Sequence, residues 1–152
     1  AKQIPGIVSF SISELDPNSK IKPHNGDTNA IIRVHLPIVV PSGLPLCAFT
    51  VNGETRAWEE GKVILFNDAQ NHYAQNLTNQ KRLVLLIDVI RPEFIAFKTE
   101  ICGKVLNGLA WQAITQSKPG VRNYPVWTKK ILWSSIRFIA RTILRINRLF
   151  WP

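Results

Sequence analysis

The feature that most limits what this chain can fold into is the rhythm of residues 6–91, where short β-rich runs alternate with clusters of turn-forming residues. That rhythm belongs to an antiparallel sandwich or barrel, and helical periodicity is hard to find within it. IVSFSISEL stops at DPNSK, and AIIRVHLPIVV alternates Ile31, Arg33 and His35 against Ile32, Val34 and Leu36. CAFTV and TRAWEE flank Asn52-Gly53, the strongest short hairpin signal. KVILF follows the turn at Glu60-Gly61, NDAQNH comes next, and RLVLLIDVI closes the region before Arg91-Pro92. Seven or eight strands result, enough for a jelly roll. Because side chains alternate along a strand, Arg33 and His35 are predicted to share a face.

Pro92 marks a change of regime. Residues 93–115 read as a helix carrying Ile95, Phe97, Ile101, Val105, Leu106 and Leu109; SKPGVRNYP breaks it, and 127–151 reads as a second helix. The expected organisation is a mainly β core over 1–92, a double-stranded β-helix of cupin-like form, followed by a helical, basic extension over 93–152. Charge divides the same way. Residues 1–100 carry ten Lys/Arg and ten Asp/Glu, whereas 101–152 carry nine basic residues and no acid, so the whole net charge of +9 belongs to the last third.

Cys47 and Cys102 lack metal-ribbon or disulfide-framework spacing, which suits a reducing compartment. No uncharged apolar run reaches the roughly 18–20 residues of a spanning helix, and no signal-peptide pattern opens the chain. The expected location is the cytoplasm, at the inner face of a membrane if the tail engages one. The chain begins at Ala1 rather than methionine, which reads as a trimmed or partial polypeptide.

Within the tail, Arg137, Arg141, Arg145 and Arg148 recur at steps of four, four and three, one stripe on a helix. Leu132, Ile136, Ile139, Ile143, Ile146 and Phe150 lie opposite, with Trp133 and Trp151 near the ends. Two readings stand: a helix packed on the outer sheet with a solvated basic face, or peripheral contact of 129–152 with an anionic membrane. Nucleic acid is not expected, since no binding motif accompanies the charge.

Only three histidines occur. His24 follows Pro23 in a polar loop, His72 sits in the loop-like FNDAQNHYAQN, and His35 falls in mid-strand. Two neutral imidazoles from opposite sides of a jelly roll can form a metal site, or each can be a surface or satisfied histidine. For non-haem Fe(II) the usual third ligand is a carboxylate two residues after the first histidine, and Gly26 occupies that place. Arg33 and Arg82 fall where a barrel interior would lie. Each either holds a small dicarboxylate by bidentate contact or pairs with a local acid such as Asp88. Trp58, Glu59 and Glu60 read as a hairpin and its charged edge, and the sequon Asn76-Leu77-Thr78 as accidental.

SELDPNSKIKPHNGDTNAIIRVHL and VNGETRAWEEGKVILFNDAQNHYAQNLTNQKRLVLLIDVIRP together resemble the aspartyl/asparaginyl β-hydroxylase family of Fe(II)- and 2-oxoglutarate-dependent dioxygenases, from about Ile4 to Pro92. The resemblance implies a hydroxylase that couples oxidative decarboxylation of 2-oxoglutarate by O2 to hydroxylation of an unactivated C–H. It implies His24 and His72 as iron ligands, with Gly26 matching a glycine that this family has in place of the acidic ligand. Arg82 and Ser13 match residues that hold the distal carboxylate of 2-oxoglutarate, and Arg33 and His35 match residues beside its iron-chelating end. Asp68 matches an acid expected to orient metal-bound water. Members acting on protein Asp/Asn tend to carry a further arginine two positions before Arg33, where this chain has Ile31. The opening KQIPGI and the basic, apolar C-terminus look more like the bacterial branch that hydroxylates acyl chains of lipid A. The expected substrate is therefore a lipid acyl chain or a peptide side chain; the alternative is a jelly-roll binding protein without catalysis, anchored by its basic tail.

Overall fold

The computed structural model describes residues 6–150, apart from the side chains of 141 and 144–150. The chain divides into two compact units, Ala1–Ile95 and Ala96–Pro152. The opening KQIP and Trp151 therefore lie outside the described residues, as do the side chains of Arg141, Arg145, Ile146, Arg148 and Phe150.

The first unit contains eight strands: β1 (Ile7–Leu15), β2 (Ser19–His24), β3 (Ile31–Val39), β4 (Cys47–Val51), β5 (Glu54–Arg56), β6 (Ile64–Asn67), β7 (His72–Asn76) and β8 (Arg82–Ile90). They form two four-stranded antiparallel sheets in the orders β1-β8-β3-β6 and β2-β7-β4-β5. That interleaving is a jelly roll, the double-stranded β-helix. β3 and β8 pair along most of their length, from Ile31 opposite Ile90 to Val39 opposite Leu83. This register sets Arg33 opposite Asp88 and His35 opposite Leu86. Between the sheets lie Leu15, Phe49, Trp58, Phe66, Ala74 and Val84, each contributing about 1.5–3 kcal/mol through burial if fully apolar and large.

Turn chemistry closes the hairpins. Asn52 and Gly53 both take positive φ, 48° and 86°, so the Asn-Gly pair supplies the tight turn between β4 and β5. Asn76 is fully buried; its carboxamide donates to the carbonyls of Leu15, Asp16 and Gln80 and accepts from the Thr78 N–H and hydroxyl. The apparent sequon is thus a structural knot between β1, β7 and the loop entering β8.

The second unit starts with a 3-10 turn over Pro92–Phe97, so α1 begins later than the sequence pattern suggests, at Lys98–Ser117. A second 3-10 turn, Pro119–Asn123, leads to α2 (Val126–Phe150). The helices pack with Trp111 edge-on to Trp133, ring centroids 5.7 Å apart. α2 turns Trp133 and Ala140 away from solvent but leaves Trp127, Ile131, Phe138, Ile139 and Ile143 exposed. Its apolar residues therefore occupy more than the one face that the sequence pattern assigned to them. No described helix is long and apolar enough to cross a membrane.

Candidate metal and co-substrate site

His24 ends β2 and His72 begins β7, directly opposite one another in register. The loop positions expected from sequence are thus strand ends. Pro23 explains the misreading: a proline cannot donate to a ladder, but β2 is an edge strand, and the register shifts between Ile21 and His24. The two imidazole rings lie 4.2 Å apart between centroids, tilted by 55°.

Each ring is held by the same device. His24 Nδ1 lies 2.9 Å from the Lys22 carbonyl oxygen and His72 Nδ1 lies 2.8 Å from that of Gln70. A carbonyl only accepts, so both Nδ1 atoms donate, and in the neutral ring Nε2 keeps its lone pair. His72 is buried, and burial foremost pushes its pKa below the ordinary histidine value, which keeps that lone pair available. Two neutral imidazoles with fixed tautomers are the donors a borderline divalent ion such as Fe(II) takes, and these residues could hold one. Among the described residues no set of three His, Cys, Asp or Glu is placed to hold a metal ion.

Gly26 has no room for any side chain. A Cβ there would lie 1.8 Å from Asp68 Oδ2 and 2.8 Å from the Asp68 backbone oxygen. The Gly26 N–H donates to that same oxygen at 2.8 Å, and Asn25 Nδ2 donates to the Ala69 carbonyl at 2.8 Å, clamping the two segments together. The Asp68 carboxylate therefore fills the space a ligand at position 26 would need. Its Oδ1 lies 3.9 Å from His72 Nε2 and 2.7 Å from Arg33 Nη1, the latter without hydrogen-bond alignment. Burial foremost raises the Asp68 pKa, Arg33 pulling against it.

Arg33 is already engaged. Nε and Nη2 donate to the two oxygens of Asp88 at 2.7 and 3.0 Å, and Ser9 donates to Asp88 at 2.8 Å. Burial opposes the Arg33 charge, yet Asp88, Asp68 and Asp27 outweigh it, holding the guanidinium above its ordinary pKa. Of the two alternatives for Arg33, the local acid is the one observed.

Arg82 is the opposite case. It is 1% exposed, it has no acidic partner among the described residues, and its Nε makes no hydrogen bond. Nη1 makes only long contacts to Ser13, 3.3 Å to the carbonyl and 3.4 Å to Oγ. Burial pushes its pKa down to about 10. An isolated buried cation costs several kcal/mol, a cost that an anion beside it would relieve. The guanidinium stacks over Trp58, 4.5 Å from the ring centroid. Trp58 Nε1 donates to His35 Nδ1 at 3.3 Å, which places the His35 proton on Nε2. Burial foremost, then Arg33 and Arg82, depress the His35 pKa to about 3, so this ring stays neutral. Trp58 is thus the floor of the site rather than part of a hairpin edge. A tryptophan between charged residues just after a short strand was the one signal for it.

A cleft of about 270 Å³ is lined by Phe49, Val51, Ile64, Leu65 and Phe66 together with the polar Asn52, Glu54, Arg56 and Gln70. Phe66 and Phe49 present their rings to His72 at 5.0 and 6.2 Å. Two facing imidazoles, His72 buried and His24 exposed, and a buried arginine with no acidic partner among the described residues give this jelly roll a two-histidine candidate site. The aspartyl/asparaginyl β-hydroxylase family model matches residues 2–92, and the chain belongs to that family. It is 32% identical over 130 residues to an ornithine lipid ester-linked acyl 2-hydroxylase of Rhizobium tropici, covering 85% of this chain and 45% of that protein. It is 38% identical over 88 residues to the aspartyl/asparaginyl beta-hydroxylase of Mus musculus, covering 58% of this chain and 11% of that one. The chain thus spans less than half the length of either relative. A cupin 2 conserved barrel domain protein of Salinispora arenicola superposes with a TM-score of 0.45 at 11% identity, over 64% of this chain and 77% of that one.

Proposed function

We propose that this chain is the catalytic domain of an Fe(II)- and 2-oxoglutarate-dependent hydroxylase acting on an unactivated C–H of a lipid acyl chain. The observation that carries the reading is Arg82, a buried cation with an open donor and no acid, which needs the carboxylate that a dicarboxylic co-substrate brings. His24 and His72 would hold the metal through Nε2. Ser13 and Arg82 would bind the distal carboxylate, and His35 would offer its Nε2–H to the bound co-substrate. When bound, Fe(II) with 2-oxoglutarate and O2 supplies the oxidation of the C–H, with succinate and CO2 as co-products. Asp68 would accept a hydrogen bond from metal-bound water, its Oδ1 having no aligned donor of its own.

One further observation favours an alkyl substrate. Ile31, where a second substrate-binding arginine would stand, is 1% exposed and packed in the core. A substrate carboxylate brought to that side would lack its cation, at a cost of a few kcal/mol. The test is anaerobic titration with Fe(II) and 2-oxoglutarate, following the visible charge-transfer band of the chelate. The band should form in the parent and vanish in His72→Ala, and on admitting O2 only the parent should yield succinate. Succinate at the parental rate from His72→Ala would refute the reading; a stable chelate that never decays would make the domain a binding protein.

A further inference from the structure

We infer that α2 seats the protein on an anionic lipid surface through its outward face. In a helix packed on one side, the outward face is ordinarily polar. Here it carries Trp127, Ile131 and Phe138, exposed by 64%, 59% and 72%. At 3.6 residues per turn these three fall within about 40° of one another around the axis. The face is remote from the side that turns Trp133 and Ala140 away from solvent. Large exposed apolar side chains aligned on one helix face, with only the small Ser134 and Ser135 between Ile131 and Phe138, mark an interaction surface rather than chance exposure.

The neighbouring charge names the occupant. Lys130 and Arg137 are exposed and flank the apolar row on one side. Residues 101–152 carry nine basic residues and no acid, and Glu100 is the one acid of 96–152. A single-sign field around a bulky apolar row matches a surface that is negative outside and hydrocarbon beneath, the headgroup and acyl boundary of an anionic bilayer. A nucleic acid would take the charge but give Phe138 and Ile131 nothing to enter. Since no described helix can span a bilayer, the helix lies along the surface. This surface is outside the histidine site, and the inference holds whether or not the hydroxylase reading does.

The experiment is co-sedimentation of the full chain with sucrose-loaded vesicles of phosphatidylcholine alone or with about a third phosphatidylglycerol, no substrate lipid being present. Binding should need the anionic lipid and fall at least tenfold in 0.5 M salt, which screens the surface charge. Phe138→Asp and the pair Lys130→Glu/Arg137→Glu should each lower it at least tenfold while leaving the circular dichroism unchanged, since these side chains are exposed. Equal binding to both vesicle types, or parental binding by Phe138→Asp, overturns the inference. So does tighter binding to a DNA duplex that is lost in the charge-reversed pair and kept in Phe138→Asp.

Discussion

Replacing Gly26 with alanine tests the close approach of Asp68 directly. The new Cβ would start 1.8 Å from Asp68 Oδ2, 2.3 Å from Cγ and 2.8 Å from the backbone oxygen. The carboxylate must swing away, and doing so breaks its 2.7 Å contact with Arg33. Overpacking alone costs about 1–3 kcal/mol, and disturbing a buried ion pair a few kcal/mol more. Arg33 keeps Asp88, so the loss is partial, and about 3 kcal/mol is the expected destabilisation. Urea denaturation measures it through the midpoint at unchanged slope. Repeating the substitution in an Asp68→Ala background removes the carboxylate and leaves only the 2.8 Å backbone contact, so the cost should fall to about 1 kcal/mol. A coupling near 2 kcal/mol is therefore predicted. If Gly26→Ala lies within about 0.5 kcal/mol of the parent, or the two changes simply add, the carboxylate does not occupy that space. A corollary follows: Gly26→Asp should not add a third protein ligand beside His24 and His72, and Fe(II) affinity should not rise.

Arg82→Met removes a buried charge that has no acid beside it. Stability without ligand should be unchanged or higher by about 1 kcal/mol, while 2-oxoglutarate should raise the Tm of the parent and not that of the variant; a marked loss of ligand-free stability would contradict the unpaired-cation account. His35, with a folded pKa of about 3 against an ordinary 6.5, stays neutral in the fold while the unfolded chain takes up its proton. Its contribution is complete above the unfolded value and is lost as pH falls from there towards 3. Between pH 7 and pH 5 about 2 kcal/mol should go, and His35→Gln, which keeps an acceptor for Trp58, should flatten that slope. Parallel pH profiles for parent and variant would refute it.

The strands were legible because their cause is local. Alternation in β3 placed Arg33 and His35 on one face, and Asn52-Gly53 announced its own turn. Which arginine would find an acid was not legible, because it depends on pairing between distant strands. Register sets Arg33 against Asp88, whereas Arg82 faces Leu15. The same limit hid Asp68 within the space at Gly26, a contact between segments 42 residues apart. His24 and His72 as a pair were reachable through family resemblance, not through spacing. Pro23 in fact argued for a loop where an edge strand runs.

Asn76 has a consequence for how this protein can be made. The carboxamide nitrogen that a glycosylating enzyme would modify is the one that ties Leu15, Asp16 and Gln80 together. In the finished fold it is out of reach, but in the nascent chain it is open. A host that exports the chain through a glycosylating lumen sets sugar transfer in a race against folding, and every molecule the transferase wins is one whose β-sandwich cannot close. Production without export, or with Thr78→Ala to erase the sequon at the cost of the hydroxyl's hydrogen bonds with Asn76 and Gln80, removes that race.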